Sequence, residues 1–475
     1  MTRLTLVAAA NQRAAPWLVA ACGLAFDVTA WWPGLMSFDS AYAWWQARGG
    51  ESTDIVAPAM IHAWRACEWI ASGPGPIHAV HLALFWSGLA LLAGTLPRGR
   101  PAQFATMCLP AFVPVSMLLR AHVWTDVALA ASLVAATGLL AQAHTSRVRG
   151  WLVPALVLLA YASLLRHNAL PAVLPLLAWW SWLLLHGARA ASPRAVVVLV
   201  VAVSLCLFGT GRWLARQVDR QVPVWPSLAQ FDLAAISIET GRMQLPAFMI
   251  GSGLDLPELA LAFRPWSNLP MLTGTRHGMR APFDPPLTPD ELAQLRTAWI
   301  AAVVDHPAAW LAHRWRVSRA LFGTHAPDWP ITLIVVDAEY AYRDNPPVAR
   351  NEGRLHAALM RAANAGASTP ALAAWPCLLA GLLVLPGAWR RRRERACGQL
   401  PLLLLASAWA YALPLCVLAP SAELRYLDWP CLASLIAFAC VAFAPRTRHA
   451  ARLDPETHAK DRRDEHRATL HVQHR

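Results

Sequence analysis

The sequence has few charged residues and almost no lysine. Charged side chains make up 15% of its 475 residues, whereas a typical soluble domain carries roughly 25%, and Lys460 is the one lysine. This shortage excludes the three soluble domains that the length alone would suggest at about 150 residues each. Intrinsic disorder is excluded as well, because the chain is 56% hydrophobic and has ample apolar surface to bury.

Short motifs typical of soluble enzymes are also missing. The chain contains no phosphate-binding loop, no cysteine pairs at zinc-site spacing and no G-x-S-x-G elbow. No repeat of about 20–50 residues is visible. The nine cysteines lie mostly inside apolar runs, so they predict no disulfide framework.

What the sequence does contain is a series of long apolar runs. Its mean hydropathy is +0.37, and a membrane-spanning helix needs about 20 predominantly apolar residues. The first run continues past Cys22 to Trp32, which favours an uncleaved helix over a signal peptide. We predict ten spans, at 14–32, 77–96, 103–119, 124–142, 151–165, 169–186, 195–210, 373–389, 399–419 and 428–444.

The predicted fold is an α-helical polytopic membrane protein with about ten transmembrane helices and a mixed, mainly helical extracytoplasmic domain. Helical stretches are predicted in that domain at 229–239, 288–304 and 306–322, the last two separated by His306-Pro307. We predict four parts in chain order. The N-terminal transmembrane domain covers 1–210 and includes a first outer loop at 33–76, and the extracytoplasmic domain covers 211–372. C-terminal transmembrane helices follow at 373–444, and a basic cytoplasmic tail at 445–475 is expected to be disordered.

The net charge of +13 is distributed unevenly between the loops. Basic residues concentrate in alternate loops, including the run from Arg390 to Arg395 and the C-terminal tail. The positive-inside rule makes these loops cytoplasmic and both termini internal, as in a multi-pass protein of the bacterial inner membrane. The excess charge is therefore an orientation signal, and we expect no nucleic-acid partner.

Polar residues that are costly near a membrane fall mainly at the outward ends of the spans. A charged residue costs at least about 2.5 kcal/mol at the bilayer centre and usually marks a functional site. Arginine suits phosphate, and a nearby carboxylate can accept a proton or hold a divalent cation. The pattern predicts a site for a lipid-linked phosphate, formed by Asp39 and Asp54, by Arg120, His122 and Asp126, by Arg166, His167 and Asn168, and by Glu423, Arg425, Tyr426 and Asp428.

Each of these residues also has an ordinary structural explanation. Asp39 can cap a short helix that begins near Ala41, and Asp54 can cap a helix at 55–71. Arg120 and Arg166 can be interface anchors. Asp27, inside the first span, can have a buried partner or relay protons, and the sequence leaves both possibilities open.

Five stretches resemble uncharacterised bacterial relatives of the GT-C type membrane glycosyltransferases, which use polyprenyl-phosphate sugars. They are PGLMSFDSAYAWWQARGG, GPGPIHAVHLALFWSGLALLA, LRHNALPAVLPLL, FDLAAIS and LRYLDWP. The resemblance implies that Asp39 corresponds to the essential aspartate of that family's first outer loop. The chain departs from those relatives at Asp54, which is followed by Ile55-Val56-Ala57-Pro58 in place of an aromatic residue, His, Pro and Pro, and at Thr125-Asp126, where a Lys-Asp pair is common.

The leading hypothesis is a membrane glycosyltransferase that moves a sugar from a polyprenyl-phosphate donor to an extracytoplasmic glycan, lipid or protein. Asp39 would be the base or a metal ligand, Asp54 a second carboxylate, and a divalent cation is a cofactor that the carboxylates allow. The alternatives are a transporter or lipid flippase, and a non-catalytic cell-envelope assembly protein. The residues expected to bind the lipid phosphate are Arg120, Arg166, Asn168 and Arg425.

Overall fold

The computed structural model describes residues 3–96, 100–186, 192–251, 254–272, 278–283, 285–324, 341–367, 369–393 and 398–443. Helices dominate these residues, and the extended pairing among them is limited to isolated bridges. The predicted helical fold is therefore confirmed. The predicted disordered tail at 445–475 lies outside the described residues.

The helices of the described residues follow one another with short connections. In chain order they are α1 (Arg3–Trp31), α2 (Phe38–Ala47), α3 (Pro58–Glu68), α4 (Gly75–Thr95), α5 (Arg100–Phe112), α6 (Pro114–Arg120), α7 (Thr125–Ser146), α8 (Leu152–Leu165), α9 (Leu170–Leu185), α10 (Pro193–Ala215), α11 (Trp225–Thr240), α12 (Leu256–Ala262), α13 (Leu269–Leu272), α14 (Pro289–Asp305), α15 (Pro307–Phe322), α16 (Arg354–Gly366), α17 (Trp375–Arg391), α18 (Leu400–Leu418) and α19 (Asp428–Ala442).

Six helical segments in the described part of the chain are long and apolar enough to cross a membrane. They belong to α1, α4, α7, α10, α18 and the stretch Leu424–Ala442 that contains α19. A seventh results if α5 and α6, bent by 64° at the break between them, count as one broken span. α8 and α9 are apolar but shorter. The chain is thus a helical multi-pass membrane protein. The ten predicted segments are helical over most of their described residues, but a count of ten spans is not confirmed.

The centre of the bundle is formed by α7 and α19, whose apolar windows are each 89% buried. α7 packs against α4 with backbone touching backbone. A Cβ at Gly88 would lie 2.6 Å from the Cα of Ala135, and a Cβ at Gly138 would lie 2.5 Å from the Gly88 carbonyl oxygen. Small residues allow this approach, as is usual between membrane helices. α10, in contrast, buries none of its residues.

The predicted first outer loop, at 33–76, forms two short helices that begin at different residues from those predicted. α2 begins at Phe38 directly after Ser37, so Asp39 lies in its first turn and does not precede a helix at Ala41. α3 begins at Pro58 after Ala57, so Asp54 is not its N-cap. Proline at the first helical position fixes this start, because its missing N–H has no partner to lose there.

The segment predicted to be extracytoplasmic contains the three predicted helical stretches as α11, α14 and α15. α14 ends at Asp305 and α15 restarts at Pro307, as the His306-Pro307 pair predicted. α14 begins with a reciprocal capping box between Thr288 and Glu291. α16 was not predicted from the sequence. It packs against the end of α1, where the ring of His356 bonds the Ala30 carbonyl oxygen at 2.9 Å.

Candidate functional site

Asp126 and Arg166 form an ion pair at the end of the helix bundle where α7 begins. Asp126 lies in the first turn of α7, and Arg166 ends α8 in an extended conformation. The Arg166 Nη1 atom lies 2.5 Å from both carboxylate oxygens. Burial alone would lower the pKa of Arg166, but the charge of Asp126 outweighs it and holds this pKa above its ordinary value. Arg166 therefore stays a cation.

Arg425 connects this pair to the first outer loop. It lies in the connection between α18 and α19, and its Nη1 atom lies 2.6 Å from Oδ2 of Asp39. Its Nε atom donates to Glu423 and lies 4.0 Å from Oδ2 of Asp126. We call Asp39, Asp126, Arg166, Glu423 and Arg425 the charge cluster. Four separate segments of the chain thus meet at one point.

The members of the charge cluster differ greatly in exposure. The Asp126 side chain is 2% exposed and that of Arg425 is 14% exposed, whereas Asp39 is 53% exposed. A buried pair is screened less by water and salt than an exposed one. Asp39 is therefore the partner of Arg425 that an incoming anion can replace most easily, and Asp126 is the partner that stays.

Aromatic rings hold the two guanidinium groups in place. The Arg166 group lies 4.7 Å from the ring centre of Tyr426, and the Arg425 group lies 5.0 Å from that of Trp124. His122 stacks on Trp124 with 3.9 Å between ring centres, and burial lowers the pKa of His122 to about 3. His122 is thus neutral and adds no positive charge next to the charge cluster. The cluster itself consists of three acidic side chains and two arginines.

Asn168, a predicted phosphate ligand, is close to Arg166 through a shared neighbour. Its side chain is next to Tyr411 of α18, and Tyr411 is in turn an electrostatic neighbour of Arg166. The structure therefore places Asn168 at the edge of the charge cluster, together with Arg166.

Arg120 does not join the charge cluster. Its Nε and Nη2 atoms donate to the two carboxylate oxygens of Asp27 at 2.8 and 3.1 Å, and the pair is buried inside the bundle. Trp86 donates to the same carboxylate at 2.7 Å. Of the two explanations that the sequence left open for Asp27, the structure shows the buried partner.

Asp54 has a different bonding partner from Asp39 and does not contact the arginines of the charge cluster in the bonds described. Its Oδ1 atom accepts a hydrogen bond from the backbone N–H of Val222 at 2.6 Å. Nearby, Asp219 accepts from the backbone and hydroxyl of Ser52, both at 2.8 Å. Asp54 thus connects the first outer loop to the segment that follows α10.

Sequence reasoning grouped Asp126 and Glu423 with the other polar residues at the span ends but gave neither of them a specific role. These two residues stand out in the sequence because a carboxylate at the end of a membrane span is energetically costly. A second buried group was missed in the domain predicted to be extracytoplasmic, where Asp232 binds Arg314. Its signal was a lone charge in the apolar stretch FDLAAIS.

The described residues contain no group of three or more His, Cys, Asp or Glu side chains that could hold a metal ion. The fold and the site define a helical multi-pass membrane protein with a charge cluster at one end of its bundle. Comparison with models of known protein families, with curated proteins and with solved structures finds no match to this chain.

Proposed function

We propose that this protein is a glycosyltransferase of the bacterial inner membrane that moves a sugar from a polyprenyl-phosphate donor to an extracytoplasmic acceptor. The observation that carries the proposal is the contact of Arg425 with Asp39, next to the Arg166–Asp126 pair, at the ends of the membrane helices. In this proposal both termini are cytoplasmic, so the charge cluster faces outward.

The two arginines bind the donor phosphate. A guanidinium group binds phosphate oxygens through charge-assisted hydrogen bonds, which are strongest where water is scarce. The phosphate replaces the exposed Asp39 carboxylate on Nη1 of Arg425, while Asp126 keeps Arg166 in position. The polyprenyl chain lies along the apolar helices, where its burial provides much of the affinity.

The exchange also makes Asp39 available as the base. Released from Arg425, its carboxylate accepts the proton of the acceptor hydroxyl. The acceptor oxygen then bonds to the sugar's anomeric carbon, and the bond between that carbon and the phosphate oxygen breaks. The departing phosphate keeps the electron pair, and the arginines stabilise its added charge.

Two predicted site residues take structural roles in this scheme. Arg120 is fully engaged with Asp27 inside the bundle, and Asp54 with the Val222 backbone. The transporter alternative rests partly on Asp27 inside the first span, and this residue is paired with Arg120.

The test uses the full chain in lipid nanodiscs, titrated with a polyprenyl monophosphate. Arg425→Gln should weaken binding at least tenfold, because a hydrogen bond to a charged group contributes about 1.5–3 kcal/mol and tenfold corresponds to about 1.4 kcal/mol. Asp39→Asn should keep or tighten binding, since it removes a competing carboxylate. In cells the same variant should abolish transfer, measured as accumulated polyprenyl-phosphate sugar.

The matched control is Arg316→Gln, which removes an arginine from an exposed ion pair with Glu239 in the outer domain. It should change neither binding nor transfer. Equal affinities in Arg425→Gln and in the control would contradict the proposal, as would unchanged lipid-linked sugar pools in cells with Asp39→Asn.

A further inference from the structure

The connection that carries Arg425 is held in place by the outer domain. α18 ends at Leu418, so its last carbonyl groups have no partner within the helix. Two side chains of α15 reach them. Arg314 Nη1 donates to the Ala419 carbonyl oxygen at 2.7 Å. The Ser318 hydroxyl lies 3.1 Å from the Cys416 carbonyl oxygen and 2.8 Å from that of Arg314, and it shares its one proton between them. A cation and a hydroxyl from the outer domain thus cap this helix.

A third contact lies further along the same connection. The backbone N–H of Ala422 donates to the carbonyl oxygen of Trp266 at 2.9 Å. Ala422 is one residue before Glu423 and three before Arg425. The outer domain therefore fixes the backbone of residues 419–422, directly before the two members of the charge cluster that this connection supplies.

Arg314 is in turn held by Asp232 of α11. The Asp232 carboxylate accepts from Arg314, from Trp299 of α14 at 2.9 Å and from Trp310 of α15 at 3.2 Å. One buried carboxylate thus joins three helices of the outer domain and, by holding Nη2 of Arg314, directs its Nη1 atom toward Ala419.

A buried ion pair is often no more stabilising than apolar residues of similar volume. Packing alone therefore does not account for a charge at position 314, where the side chain is 4% exposed. An apolar residue could pack between α11 and α15, but it could not bind the Ala419 carbonyl group. That bond is the specific contribution of the charge.

We propose that Asp232 and Arg314 are positioning residues: through the bond to Ala419 they fix residues 419–427 and so place Arg425 for the phosphate of the lipid donor. The inference rests on the proposed function, since it assumes that the charge cluster binds that phosphate. The outer domain then acts on the site through α15.

The test compares Arg314→Met, Arg314→Lys and Asp232→Asn in the full chain in nanodiscs. Hydrogen exchange of peptides covering 419–427 is measured first, because it needs no ligand. Arg314→Met should speed this exchange at least tenfold while α14 stays protected. The affinity for a polyprenyl monophosphate should fall about tenfold, and Arg314→Lys, which keeps a donor, should restore part of both.

Arg316→Met is the matched control, because Arg316 lies on the same helix and pairs with Glu239 of α11 at the surface. It should leave both measurements unchanged. Unchanged exchange at 419–427 in Arg314→Met would overturn the inference, as would equal loss in the control. If Arg314→Met does not fold, Asp232→Asn and Arg314→Lys are used instead. Unchanged exchange at 419–427 in both of these variants would overturn the inference.

Failure of the inference and failure of the proposed function are distinguishable. If the unmodified chain binds no polyprenyl phosphate, the proposed function is wrong, and the role of Arg314 in placing a ligand site falls with it. If the unmodified chain binds the phosphate and Arg314→Met binds it equally well, the positioning role is wrong and the function stands.

Discussion

Asp27 shows how much one buried carboxylate can organise. It lies in α1 and binds Arg120 at the end of α6 and Trp86 of α4, so three membrane helices meet at its side chain. Arg120 also donates to the Ala111 carbonyl oxygen at 2.9 Å and lies 4.4 Å from the ring centre of Phe85. Every contact is inside the protein, so the pair joins these three helices to one another.

We predict that removing one partner is worse than removing both. Arg120→Met should lower stability by about 3–5 kcal/mol because it leaves the Asp27 carboxylate buried and unpaired. Adding Asp27→Leu should restore most of this loss. The measurement is thermal unfolding in detergent of the two single variants and the double variant, evaluated as a double-mutant cycle.

The same variants test the predicted phosphate role of Arg120. If Arg120 serves only the bundle, the double variant should bind a polyprenyl monophosphate as well as the unmodified chain does. A stable double variant that has lost this binding would show that Arg120 contributes to phosphate binding. The sequence could flag Asp27 as an unusual charge in a span, but not its partner, because Arg120 lies 93 positions away.

At the scale of the helices, the sequence predicted best where a local signal marks an end. The capping box and His306-Pro307 delimit α14 and α15 within the chain itself. α16 was not predicted, although Gly366 and Pro370 mark its end, and its packing against α1 depends on residues more than 300 positions away. The close contact of α4 with α7 could not be predicted either, because a glycine in a membrane span can have several structural roles.

We predict that Gly88→Ala destabilises the protein, by about 1–3 kcal/mol as is typical of overpacking. The added Cβ would meet the backbone of α7 at 2.6 Å, which no side-chain rotation can relieve. Gly94→Ala on the same helix is the control, because its Cβ would meet only the end of the Gln142 side chain at 3.4 Å. The melting temperature in detergent should fall for the first variant alone, and equal melting temperatures would contradict the predicted overlap.

At the scale of the whole molecule, the sequence predicted that four outer loops converge, and the structure brings residues of these loops into contact. It could not say which acid pairs with which arginine. Asp39 and Arg425 are nearly 400 positions apart, and only the packing of α2, α7, α8 and the end of α18 brings them together. Charged residues at the ends of spans indicate which face of the membrane a site occupies. Which acid pairs with which arginine depends on how the helices are arranged in the bundle.

The span count depends on α8 and α9. They have 14 and 16 residues, which at 1.5 Å per residue gives about 21 and 24 Å, less than the hydrocarbon thickness of about 30 Å. Arg166, between them, contacts Asp126 at the start of α7, whereas α8 itself begins near the end of α7. α8 therefore runs the length of α7, and a locally thinner bilayer accommodates such short helices at modest cost.

We therefore predict that α8 and α9 cross the membrane, which a cysteine-labelling experiment can decide. In a cysteine-free chain, His167→Cys should react with a membrane-impermeant maleimide on intact cells, as should Ser72→Cys in the first outer loop. Ser146→Cys at the end of α7 should react only after permeabilisation. All three positions are exposed in the structure, so access depends on the side of the membrane. If His167→Cys instead reacts like Ser146→Cys, α8 does not cross, and Arg166 cannot share an outward-facing site with Asp39.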